Sequence, residues 1–78
     1  MSRRKLTGLS GKQIVRAPQK AGFEILRISG SHHILAKPGS PGARVIVPVH
    51  GARDLPPGTV RSIVVQSNLS IEEFLSLI

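Results

Sequence analysis

The residue pattern predicts an α+β domain: one three-stranded antiparallel sheet packed against helices, in the order α-β-β-β-α with a short extra C-terminal helix. Three observations carry this. Two serine capping boxes, Ser10 with Gln13 and Ser70 with Glu73, mark helix starts near both ends of the chain. Between them lie three short runs rich in branched residues, punctuated by Gly, Ser and Pro clusters. The loops joining those runs are too short for a crossover helix, so the strands must form a meander.

Each element has its own signal. Leu9 and Ile14 occupy the hydrophobic-staple positions around the first box, and Gly22 is suited to end that helix. Ile14, Val15 and Ala21 supply its apolar stripe, with Lys12, Arg16 and Lys20 on the wetter side. Pro18 falls inside this stretch, where a helix-interior proline costs about 3 kcal/mol, so a kinked or two-piece helix is expected. The strands read as 23–29, 32–37 and 44–49, the last almost wholly apolar, as suits a strand central in the sheet or packed on helices. Pro56 or Pro57 opens the next helix, whose buried stripe is Val60, Ile63 and Val64 and whose C′ residue is Asn68. Leu69 and Phe74 staple the terminal helix. Asp54 reads as a turn or cap residue before the proline-opened helix.

Composition bounds the function. The chain has 78 residues, enough for a single domain (1–78) with one modest core, residues 1–8 reading as a flexible basic tail. It has no cysteine, which excludes disulfides, thiolate zinc sites and thiol catalysis. No apolar run approaches the ~20 residues of a membrane span, and the basic N-terminus lacks a following apolar signal segment. A cytoplasmic protein is expected. Eleven Lys and Arg against four Asp and Glu give a net charge of +7, which points to a polyanionic partner. Nucleic acid fits better than a lipid surface, because no helix pairs a Lys-rich face with bulky apolar residues. Two Phe and no Tyr or Trp argue against base-stacking platforms.

The dense polar constellation is Gly30-Ser31-His32-His33, at the start of the second strand. Side chains alternate along a strand, so His32 goes with Ile34 and Ala36, and His33 with Leu35 and Lys37. The first set is the more apolar and is expected to face the helices, leaving His33 the more exposed histidine. A histidine beside cations on a basic protein suits RNA cleavage. As a general base it removes the 2′-hydroxyl proton, while Lys or Arg stabilises charge developing on the phosphate. Ser31, His32, Lys37, Lys12, Arg27 and Arg44 are the candidate RNA contacts. His50 reads as a strand-end surface residue first and as an RNA contact second. No metal site is expected, since His32 and His33 point to opposite faces; no cofactor is called for.

Ser10-Gly11-Lys12 with Gly22-Phe23, then Gly30-Ser31-His32-His33, Val45-Ile46-Val47-Pro48-Val49-His50 and Asp54-Leu55-Pro56-Pro57-Gly58-Thr59 together resemble the HicA family. The resemblance runs from about Leu9 to Phe74. It implies a fold like the double-stranded-RNA-binding domain and a ribosome-independent mRNA interferase, the toxin of a bacterial type II toxin–antitoxin pair. It also implies neutralisation by a HicB antitoxin lying over the active site. The family motif Gly-Ser-x-His places the catalytic histidine on His33. Pro18 departs from the pattern, standing where relatives generally carry an apolar helix former. The runner-up from charge and fold is a non-catalytic module for double-stranded RNA. A DNA-operator role has no helix-turn-helix to carry it.

Overall fold

A computed structural model of the chain describes residues 6–78. The basic run Arg3-Arg4-Lys5 lies outside the described residues. Leu6, which the sequence reading placed in the tail, is buried in the core.

The N-terminal helical stretch is in two pieces, α1 (Gly11–Ile14) and α2 (Arg16–Lys20), broken at Val15. The first capping box is formed: Gln13 N–H donates to Ser10 Oγ at 3.3 Å, and Ser10 N–H to Gln13 Oε1 at 3.0 Å. The break sets Pro18 in the first turn of α2, where a missing N–H leaves no bond unmade. α2 closes with Gly22 at φ 105°, Gly22 N–H donating to Gln19 O and Phe23 N–H to Pro18 O. That pairing is a Schellman stop.

The sheet contains β1 (Glu24–Ser29), β2 (His32–Ala36) and β3 (Arg44–Pro48), in the spatial order β1-β2-β3 and antiparallel throughout. The apolar third strand is therefore an edge strand packed on helices, the second of the two placements its composition suits. Its outer side is met by α3 (Pro57–Gln66), where Gln66 Oε1 accepts from Ile46 N–H at 3.0 Å. β1, the opposite edge, is exposed along its whole length, Ile25, Leu26 and Ile28 included. A register shift between Ile25 and Arg27 gives β1 one extra residue.

Pro56 is the N-cap residue of α3 and Pro57 its first residue, so Asp54 does not cap it. Asp54 instead bridges Ser10 through the backbone, and Leu55 N–H donates to Leu9 O at 2.8 Å. α3 ends on Asn68 at φ 59°, with Asn68 N–H donating to Val65 O and Leu69 N–H to Val64 O, a second Schellman stop. The terminal helix α4 (Ile71–Leu77) starts on the second capping box. Ser70 N–H donates to Glu73 Oε1 at 2.9 Å, and that bond first, with the Ser70 hydroxyl second, holds the Glu73 carboxyl below the usual range.

The core joins Leu35, Val45 and Val47 of the sheet to Ile14, Ala17, Val60, Ile63, Val64 and Phe74 of the helices. One face of the sheet is covered and the other is open. No helix among the described residues is long and apolar enough to cross a membrane.

Candidate active site

The register settles which way β2 faces. His33 pairs with Val47, and Leu35 with Val45, and all three apolar partners are fully buried. His33 therefore points to the helix side, with Leu35, and His32 points to the open side, with Ile34. This reverses the expectation from sequence. His32 is exposed and His33 is half-buried. The sequence reading erred by taking Lys37 as the mark of a wet face. The Lys37 stem lies beside Gly22, and its Nζ stands 5.7 Å from the Phe23 ring centre. A lysine can cover apolar surface with its chain while its charge stays wet.

Half-burial gives His33 an asymmetric environment. Its Nδ1 is buried and meets no hydrogen-bond partner among the described residues. A buried, unpaired ring nitrogen is an uncommon arrangement in a folded protein. Of the two ring nitrogens, Nδ1 is the one closed to solvent.

Ser31, immediately before β2, is tied to the end of β3. Val49 N–H donates to Ser31 O at 2.7 Å, and Ser31 Oγ lies 3.4 Å from His50 Nε2. Arg53 N–H in turn donates to His50 O at 3.1 Å, closing the turn that carries Gly51 at φ 59°. The start of α1 packs on the same place. A Cβ at Gly11 would collide with the Pro48 carbonyl and lie 3.0 Å from Val49 Cα. Exposed Lys12 therefore stands at the sheet end that carries Ser31 and His50.

The remaining candidates lie elsewhere. Lys37 shares the His33 face but is four positions along the chain, about 13 Å away. Arg44 pairs with Ala36 at that far end, and its Nη1 donates to Ala43 O at 3.0 Å. Arg27 pairs with Ile34, so the shift in β1 places it on the open face with His32, away from His33. The sheet end thus gathers Ser31, His32, His33, Lys12 and His50. Among the described residues, no three His, Asp or Glu side chains gather in a metal-binding group.

His50 is the residue whose RNA-contact role the sequence reading ranked second. Its only signal was a Val-Pro-Val-His run leaving a strand, because the partner Ser31 is 19 positions earlier.

The family model for the HicA toxin of bacterial toxin–antitoxin systems matches residues 11–69, from the start of α1 to just before the second capping box. The chain belongs to the HicA toxin family. The matched segment contains the whole sheet, α3 and every residue gathered at the sheet end. Membership makes this HicA chain the toxin side of a pair, with an antitoxin as counterpart. No curated protein matches the chain.

Proposed function

We propose that this HicA chain is an endoribonuclease that cuts messenger RNA, with His33 as general base and no metal ion in the reaction. A HicB-type antitoxin restrains it by covering the sheet end. The observation that carries the reading is the half-buried His33 with its Nδ1 buried and unpaired, and the reading assigns its other nitrogen to the substrate. Nε2 takes the proton of a 2′-hydroxyl, and the freed oxygen attacks the adjacent phosphorus. Lys12, at the same end of the sheet, stabilises charge on the non-bridging phosphate oxygens. The net charge of +7 draws RNA to the surface in a salt-dependent way. Ser31 and His32 flank the base as RNA contacts, while Lys37 and Arg44 at the far end of the sheet, and Arg27 on the face opposite His33, meet only flanking phosphates.

The test compares the protein with its His33→Ala variant on a mixed RNA substrate in EDTA. Cleavage by the parent and its loss in the variant, by 10²-fold or more, is the expected result. Circular dichroism should show the variant folded, since a half-buried side chain at a strand start is truncated. Undiminished cleavage by the variant would remove His33 as the base. If neither protein cuts and both bind duplex RNA, the charge serves a binding module instead.

A further inference from the structure

We infer that His50 is the general acid of this site, donating the proton that the leaving 5′-oxygen requires. The assignment rests on the nuclease reading above and completes it.

Cleavage by a neighbouring 2′-hydroxyl has two proton transfers. His33 takes the 2′-hydroxyl proton as the 2′-oxygen–phosphorus bond forms. The bond from phosphorus to the 5′-oxygen breaks, and that oxygen must gain a proton to leave as a hydroxyl. The products are a 2′,3′-cyclic phosphate and a 5′-hydroxyl end, so atoms and charge balance with one base and one acid.

The acid must be a side chain that gives up a proton readily near neutral pH, for which imidazole is the natural group. The chain holds three histidines. His33 is occupied as the base. His32 points to the opposite face of β2. His50 remains, and the structure holds it at the site from both sides. The Val49 N–H bond to Ser31 O fixes the backbone before it, and the Arg53 N–H bond to its own carbonyl fixes the turn after it.

Spacing supports the division of labour. Ser31, in the turn just before β2, is two residues from His33, so their Cα atoms are at most about 7 Å apart. His50 Nε2 is at Ser31 Oγ. The contact that holds the His50 ring is thus made to Ser31 and not to His33. Attacking and leaving oxygens stand on opposite sides of phosphorus in an in-line displacement, so base and acid must flank the phosphate. The 3.4 Å contact is long for a hydrogen bond. His50 can exchange it for a substrate oxygen at little cost, with Ser31 holding the ring until then.

The test uses the full chain and an RNA oligonucleotide containing one linkage that the parent protein cuts. A second oligonucleotide carries sulfur in place of the bridging 5′-oxygen at that linkage, a leaving group that needs no proton. His50→Gln is expected to cut ordinary RNA at least 10²-fold more slowly than the parent, and to come within about tenfold of it on the sulfur substrate. His33→Gln is expected to fail on both. Equal deficiency of His50→Gln on both substrates would overturn the assignment and make His50 a positioning residue. Parent-like cutting of ordinary RNA by His50→Gln would overturn it outright. A parent protein that cuts neither oligonucleotide removes the nuclease reading, and this assignment with it.

Discussion

A single hydrogen atom at Gly11 sets how closely helix and sheet approach at the sheet end. A methyl group there would strike the Pro48 backbone, and a carbonyl cannot rotate aside as a side chain can. Gly11→Ala is expected to destabilise the protein by about 1–3 kcal/mol, despite the better helix propensity of alanine. Gly58, in the first turn of α3, has no atom within 4 Å of the added carbon. Gly58→Ala is therefore expected to be neutral or stabilising by up to about 1 kcal/mol. Urea denaturation of the pair checks both signs, and equal destabilisation would remove the Pro48 contact as the cause. At the same scale, Gly30-Ser31-His32-His33 was legible as the polar centre of the chain. The Ser31–His50 contact was not, because nothing local in either segment records a partner 19 positions away.

At the scale of elements, Pro18 shows what a broken helix achieves. In one continuous helix it would be an interior proline and a standing cost of about 3 kcal/mol. With the break at Val15, it occupies the first turn of α2 and its ring is fully buried. No helix penalty is left for a substitution to relieve. Pro18→Ala is expected to destabilise by about 1–2 kcal/mol, from lost ring packing and a freer unfolded chain. Thermal unfolding measures this, and a variant more stable by 2 kcal/mol or more would show that the proline is strained. Both capping boxes, both helix stops and the three-strand meander were legible beforehand. The boxes and stops depend on residues within five positions of one another, and the meander on two short turn clusters, where cap and turn chemistry acts. The face of β2 was not. Ile34 with Ala36 looks drier than Leu35 with Lys37, yet only Leu35 meets the helices.

At the scale of the molecule, 78 residues support a stability of about 4–12 kcal/mol. One well-placed truncation is a large share of that. Leu35 is fully buried on the central strand, paired with Val45 on one side and Ile25 on the other. Leu35→Ala is expected to cost about 2–5 kcal/mol and to lower the unfolding midpoint by about 8 °C or more, at about 4–8 °C per kcal/mol for a domain of this size. A loss under 1 kcal/mol in calorimetry would mean that the core does not centre on β2. The same cover decides the asymmetry of the sheet. Helices bury the Leu35 face, and the other face carries His32, Arg27 and Arg44 with half-exposed Ile46.

Taken alone, the sequence determined the order of elements, the residues that start and stop each helix, the strand spacing and the basic charge. All of these follow from interactions between neighbours in the chain, or from composition. Tertiary structure alone decided that His33 lies on the covered face, that Arg27 lies on the open one, and that His50 joins Ser31. The reason is physical. A strand offers two faces and two edges of similar local energy, and the choice falls to the helices that cover one of them.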